Sequence, residues 1–256
     1  MKTLGVIPAR YASTRLPGKV IADICGKPLV QWVYERSSRA SLLGELVVAV
    51  DDERVYDIVK KFGGNVVMTE ANHPNGTSRA AEASRNIEAD IVVNIQGDEP
   101  LISDIMINEV IKLLLDNPQD VAATLVRPVV QEDFHNTGVV KTVFDKDSYA
   151  LYFSRSLIPY PQTVFNTTVY EHIGIFAYTK EFLLTYAALP ETPLAKAESL
   201  EQLKVLEHGY KMRVAVTECK EAGFCVDTPE DLERMREYYR KNSCELRVAS
   251  EKINIR

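Results

Sequence analysis

No stretch of this 256-residue chain approaches the roughly 18 consecutive apolar residues of a membrane span. From Lys2 the sequence runs straight into an apolar strand pattern instead of the charged, apolar and small-residue regions of a secretory leader. Cysteine is scarce: Cys25, Cys219, Cys225 and Cys244 form no C-x-x-C pair and are too scattered for a disulfide framework or a zinc site. A reducing, cytoplasmic setting is the expectation. A basic excess is also missing, since 30 Lys and Arg face 36 Asp and Glu for a net charge of −6, which argues against a general nucleic-acid binder. Two common phosphate-binding fingerprints, G-x-G-x-x-G and G-x-x-x-x-G-K-[ST], do not occur at the N-terminal loop. There is no internal repeat and no low-complexity linker. The composition is otherwise ordinary for a globular protein, 46% hydrophobic and 26% charged. The length suffices for one extended α/β core.

The first informative segment is Leu4-Gly5-Val6-Ile7 and the loop after it. The apolar run reads as a buried strand, and the loop carries Arg10, Arg15 and Lys19 among the small residues Ala9, Ala12, Ser13 and Gly18. Clustered cations beside closely approaching backbone N–H groups suit a polyphosphate. A plain basic surface loop is the alternative.

Strand and helix patterns alternate through the first half. Residues 46–50 read as a strand, 53–62 as an amphipathic helix closed by Gly63-Gly64, 66–68 and 91–95 as strands, and 105–115 as a helix stopped by Asn117-Pro118. Such alternation predicts an α/β, doubly wound, mostly parallel sheet that binds ligands at the carboxyl ends of its strands. The second half is richer in strand patterns, at 139–144, 150–153, 172–178 and 212–216, with a Pro-rich and aromatic loop over 158–170 and a helix over 199–208. Thr228-Pro229-Glu230-Asp231 starts the last helix, with Thr228 as cap. The economical reading is a single domain over 1–242, with a β-rich insertion at about 127–180 and an unassigned tail at 243–256.

Three loops carry candidate chemistry. Gln96-Gly97-Asp98-Glu99-Pro100 follows the best buried strand, which sets Asp98 at the ligand crevice, a suitable mount for Mg²⁺ opposite a phosphate loop. Asp98 as a simple helix cap is the alternative. Asp227, just before the capped last helix, is the best second carboxylate, although there it would also favour the helix dipole. In His73-Pro74-Asn75-Gly76-Thr77-Ser78-Arg79, Gly76 permits close approach, Thr77 can cap the helix, and Arg79 could reach a base carbonyl or phosphate, a simple cap-and-turn being the alternative.

These segments together closely resemble the 3-deoxy-manno-octulosonate (Kdo) cytidylyltransferases. The resemblance is carried by I-P-A-R-Y-A-S-T-R-L-P-G-K at 7–19, Q-G-D-E-P at 96–100, Y-A-L-Y-F-S-R at 149–155, H-I-G-I at 172–175, L-E-Q-L at 200–203 and V-D-T-P-E-D-L at 226–232. It implies a nucleotide-diphospho-sugar transferase-like fold, a homodimer formed through the insertion, and transfer of CMP from CTP to the anomeric hydroxyl of an acidic eight-carbon 2-keto sugar. Pyrophosphate is the other product, and the CMP-sugar serves lipopolysaccharide synthesis. It further implies that Arg10, Ser13, Arg15 and Lys19 hold the triphosphate and that Asn75, Gly76, Arg79 and Gln96 surround the cytidine. Asp98 and Asp227 would bind Mg²⁺, with Lys19, Asp98, Asp227 and Arg10 as the catalytic set. On the sugar side it points to Arg155, His172, Tyr178, Glu201 and Gln202.

The chain departs from the family pattern at Ser78, where an acid is usual, at Lys204, where Arg is usual, and at Cys225, where Gly is usual. The run from His172 to Tyr178 also differs from the commoner form. These departures lie near the expected base and sugar pockets, so an 8-amino relative of Kdo or another 2-keto sugar acid stands as an alternative substrate. From a different class, a non-catalytic nucleotide-sugar sensor would not need Lys19 with both carboxylates. A glycosyltransferase would be expected to carry Asp-x-Asp, which Gln96-Gly97-Asp98 does not supply.

Overall fold

The computed structural model describes residues 1–13, 15–162, 167–220 and 224–253, the last of these as backbone only from 243. Thr14 of the basic loop, positions 163–166 of the Pro-rich loop and the end of the tail at 254–256 lie outside the described residues. β1 (Thr3–Ala9) is buried along nearly its whole length because it is central in the sheet with both faces covered. The basic loop then leads through a hairpin, β2 (Asp23–Ile24) and β3 (Lys27–Pro28), into α1 (Leu29–Ser37). Next come β4 (Glu45–Val50), α2 (Glu53–Lys61), β5 (Val66–Met68), α3 (Gly76–Ser84), β6 (Ile91–Asn94), α4 (Asp104–Asp116) and β7 (Ala122–Pro128). The second half adds β8 (Lys141–Phe144), β9 (Ala150–Ser154), β10 (Tyr170–Thr179), α5 (Lys180–Ala188), α6 (Pro193–Glu198), α7 (Leu203–Glu207), β11 (Arg213–Val216) and α8 (Pro229–Ile253).

The main sheet has the order β11-β7-β10-β6-β1-β4-β5. Its neighbours pair in parallel except β10, which is antiparallel to both β6 and β7. β8 pairs with the start of β10, and β9 pairs with β8. Residues 127–180 therefore supply two marginal strands and also one strand in the middle of the sheet. The segment 243–253, unassigned from sequence, continues α8. Among the described residues no helix is long and apolar enough to cross a membrane.

Alternation along the strands divides the core into two layers. Ile7, Ala9, Val48 and Val50 face the layer containing Val33, Val55 and Ile107, from α1, α2 and α4. Leu4, Val6, Val47 and Ala49 face the layer containing Ala80, Leu183 and Leu203, from α3, α5 and α7. Each fully buried aliphatic side chain contributes about 1.5–3 kcal/mol, so the sheet's strands are fixed by both faces.

Two expectations need correction. The helix expected over 199–208 is broken: α6 ends at Glu198, Ser199 takes a left-handed conformation at φ 54°, and α7 begins only at Leu203. The break places Glu201 and Gln202 on a turn. At α3 the cap is Asn75, whose side chain accepts from the Ser78 N–H at 2.8 Å; Thr77 lies inside the first turn with its hydroxyl directed elsewhere.

The carboxyl edges of β1, β4 and β6 open onto the loops that carry the candidate residues. Gly97 allows the β6 loop to lie against β1, since a Cβ there would come 2.5 Å from the Pro8 carbonyl oxygen. Neither backbone can yield without moving a central strand. Gly97→Ala is expected to lower stability by about 1–3 kcal/mol and to displace Asp98. A denaturation midpoint equal to wild type would contradict this close packing.

Candidate active site

Lys19 organises the site. Gly18, at φ 68°, turns the loop so that Lys19 follows in a 3-10 turn, 8% exposed. Its Nζ donates to Asp98 Oδ2 at 2.6 Å and to Asp227 Oδ1 at 2.9 Å. Burial alone would lower the Lys19 pKa, but Asp98 and Asp227 outweigh it and hold the ammonium above its ordinary value. The Asp227 carboxyl is held below its ordinary range, because Lys19 and Arg15 outweigh its burial. Arg15 reaches Asp227 Oδ2 at 2.9 Å.

Backbone bonds fix the two acids. The Val226 N–H donates to the Asp98 carbonyl at 2.9 Å, tying the two loops together. Asp231 then accepts from the Thr228 N–H and returns its own N–H to Thr228 Oγ1, a reciprocal cap at the start of α8.

Two clefts meet at Gln96 and Asp98. The first is lined by Arg10, Ser13 and Lys19 after β1, by Asn75, Gly76 and Arg79 at the start of α3, and by Gln96 and Asp98. Arg10 is exposed and forms no hydrogen bond or ion pair among the described residues, so its guanidinium is available to an anion. Arg79 is different: it is 3% exposed and donates to Thr69 Oγ1, the Glu70 carbonyl and Asp51 Oδ2. It clamps α3 to the ends of β4 and β5 as well as lining the cleft.

The second cleft includes Arg15, Arg155, His172, Glu201, Gln202, Cys225 and Asp227, besides the shared Gln96 and Asp98. Arg155 donates Nε to the Glu198 carbonyl at 2.8 Å and Nη1 to the Thr137 carbonyl at 2.9 Å. Lys141, fully buried, supports that strand by donating to the Arg155 carbonyl at 2.8 Å. His172 Nε2 lies 2.8 Å from Thr124 Oγ1. Because the Thr124 hydroxyl donates to the Ile175 carbonyl at 2.7 Å, the network assigns the histidine proton to Nε2. Burial pushes the His172 pKa down to about 3, so the ring is neutral. Glu201 is turned inward, away from bulk solvent, and accepts from Thr77 Oγ1 at 2.7 Å; burial raises its pKa.

Tyr178 lines neither cleft, although its buried hydroxyl lies close to Thr77 and Glu201. It is fully buried and stacks on Phe176 and Tyr186 at ring separations of 6.0 and 6.1 Å, behind the second cleft. Its place in an antiparallel strand between β6 and β7 turns the ring into the core.

Sequence reasoning passed over several participants. Glu99 lines the second cleft, and burial beside Asp98 raises its carboxyl to about 7. Asp51 receives both Arg79 and the Tyr11 N–H. Asn94 is a polar residue in an otherwise apolar buried strand, a signal that was legible; it donates to Thr77 Oγ1 at 2.9 Å. Asp98, Cys225 and Asp227 have donor atoms within 4.8 Å of one another, a set with room for one cation.

A mostly parallel sheet with a cationic loop after its central strand and paired carboxylates at its carboxyl edge defines a nucleotidyltransferase. The chain belongs to the cytidylyltransferase family, whose pattern matches residues 4–222. It is 47% identical over 248 residues to a 3-deoxy-manno-octulosonate cytidylyltransferase of Fusobacterium nucleatum, covering 96% of this chain and 100% of that protein. It is also 47% identical over 249 residues to the same enzyme of Geobacter sulfurreducens, covering 93% and 99%. The structure of a CMP:2-keto-3-deoxy-manno-octonic acid synthetase complexed with CTP superposes with a TM-score of 0.90 at 40% identity, covering 94% of this chain and 100% of that one.

The neutral, half-buried His172 makes stability depend on pH. Its folded pKa lies below its ordinary 6.5, so the unfolded chain takes up a proton first as pH falls. Stability from this group is full above about pH 6.5 and is lost toward pH 3, by up to about 1.4 kcal/mol per unit. Glu99, with its raised pKa, acts in the opposite sense between about 4.5 and 7. Urea unfolding of wild type and His172→Gln between pH 7 and 4 should therefore show a shallower acid loss in the variant. Equal slopes would show that His172 is not held neutral.

Proposed function

We propose that this chain transfers CMP from CTP to the anomeric hydroxyl of Kdo, releasing pyrophosphate and forming CMP-Kdo for lipopolysaccharide synthesis in the cytoplasm. The observation that carries the reading is the meeting of two clefts at Gln96 and Asp98, one rich in cations beside a capped helix, the other holding Arg155, His172 and Glu201. Relatives 45–47% identical over more than nine-tenths of the chain bear the same activity in their names.

In this reading the triphosphate lies along Arg10, Ser13, Arg15 and Lys19, with cytidine at Asn75, Gly76, Arg79 and Gln96. The first cleft supplies backbone N–H groups at the start of α3 and an unpaired guanidinium at Arg10. These positions favour anions. The Lys19 ammonium, already charged and fixed by two carboxylates, can move its donors to phosphate oxygens as negative charge builds on the leaving group. Arg155 and Gln202 would take the acidic sugar, the Arg155 fork retaining donors beyond those used on backbone carbonyls. Neutral His172, its proton on Nε2, offers Nδ1 as an acceptor to a sugar hydroxyl. Little covalent work falls to these side chains, so alignment and charge neutralisation carry the rate.

The donor set of Asp98 and Asp227 fits Mg²⁺. Hard carboxylate oxygens converge there, and a cation, the Lys19 ammonium, is already bound between them. When bound, Mg²⁺ would supply neutralisation of phosphate charge.

Most departures from the family pattern lie behind the clefts. Ser78 is 8% exposed and bonded to His73, and Lys204 is 4% exposed over the Tyr186 ring. Two departures, Cys225 and Phe176, line the sugar cleft. The margin of β9 exposes Leu151 at 60%, and we take this face as the one through which two copies pair.

The test is pyrophosphate release with CTP, Kdo and Mg²⁺. Asp98→Asn and Asp227→Asn should each lower kcat by about a hundredfold or more, with melting temperature nearly unchanged. Arg155→Ala should raise KM for Kdo far more than for CTP. Near-normal turnover in either carboxylate variant would remove that residue from the catalytic set.

A further inference from the structure

The two clefts are joined through the interior by residues to which no role has been given above. Thr77, Asn94 and Tyr186 are fully buried. Asn94 Nδ2 donates to Thr77 Oγ1 at 2.9 Å, and that hydroxyl donates onward to Glu201 Oε1 at 2.7 Å. A second path starts at Asn75. Its Oδ1 is committed to capping α3, which leaves Nδ2 to donate to Tyr186 Oη at 3.2 Å; the tyrosine donates to the Glu201 carbonyl at 3.3 Å. Glu201 is thus held at its side chain by Thr77 in the first turn of α3 and at its backbone by Tyr186 of α5, to which the α3 cap residue Asn75 donates. That turn also presents Asn75 and Gly76 to the nucleotide cleft. The Glu201 carbonyl also accepts from the Lys204 N–H at 3.2 Å within its own turn, and among the described residues Glu201 Oε2 is buried without a partner. An unmet acceptor of this kind is unfavourable and is relieved by a ligand hydroxyl.

We propose that Thr77 and Tyr186 are positioning residues that couple the two substrates: nucleotide bound at the start of α3 fixes Thr77 and Asn75, which hold Glu201 in place for the sugar. This rests on the reading of Glu201 as a sugar-side residue. The physical requirement is one element biased by both sites, and the first turn of α3 is that element. Linkage makes the effect reciprocal, so Kdo tightens nucleotide binding by the same factor as nucleotide tightens Kdo binding.

The experiment is calorimetric titration of the full chain with Kdo, with and without saturating α,β-methylene CTP, whose bridging carbon prevents transfer. Wild type should bind Kdo about fivefold tighter or more when the nucleotide is present. In Thr77→Val the factor should fall to within about twofold of one, while Thr77→Ser, which keeps the hydroxyl, retains it. A purely structural role would weaken both ligands and leave the factor unchanged. Tyr186→Phe removes only the second path and provides an independent variant should Thr77→Val fail to fold; its factor should fall at least twofold. A wild-type factor of one, or wild-type coupling in both Thr77→Val and Tyr186→Phe, overturns the proposal. Binding of the nucleotide analogue with no binding of Kdo overturns the substrate reading itself.

Discussion

The carboxyl edge of the sheet is organised electrostatically around one cation held between two carboxylates. Lys19 belongs to the loop after the first strand, Asp98 to the loop after β6 and Asp227 to the entrance of the last helix, so a single ammonium joins three distant parts of the chain. With Lys19 absent, two carboxylates would face one another in a partly desolvated place, and like charges there are costly. The Val226–Asp98 backbone bond and the Thr228–Asp231 cap hold the acids regardless of what lies between them. The arrangement therefore tolerates exchange of the ammonium for another cation without rebuilding the loops. A site that handles a triphosphate needs this, because its own charges must be redistributed when the ligand arrives.

The two clefts divide the work by electrostatics. In the first cleft, cations are either exposed, as Arg10 is, or tied to acids, as Lys19 and Arg79 are. In the second cleft the individual groups are held toward their neutral forms: His172 is neutral, Glu99 and Glu201 are pushed toward protonation by burial, and the Arg155 fork is braced by carbonyl groups.

Much of this was legible in the sequence. β1, β4, β6 and α4 declared themselves because apolar period and flanking turn residues agree, and the loops after β1 and β6 carry their charges in plain view. α1, α5 and β7 were not anticipated: Leu-Val-Gln-Trp-Val-Tyr in α1 is too uniformly apolar at its start to reveal a period, and β7 has alanines where a strand signal would need branched residues. The broken helix near Ser199 depends on a left-handed serine, a conformation that local pattern does not announce. Tyr178 went astray because a strand residue's face is set by register, and β10 runs against its neighbours. That Asp98 and Asp227 meet on Lys19 is a tertiary fact, beyond the reach of spacing along a chain.

The antiparallel strand in the middle of the sheet has a consequence for how the chain acquires its fold. β6 and β7 follow one another closely in sequence but do not touch; the space between them is filled by β10, more than forty residues downstream of β7. During synthesis the nucleotide-side strands β1, β4, β5 and β6 can assemble, but β6 keeps an open edge until residues 170–179 are made. An unpaired edge on a buried strand invites pairing with another chain. The molecule therefore has no autonomous nucleotide-binding half. Its topology makes the second half a folding requirement for the first, and duplication or exchange of the halves as separate modules is closed to it.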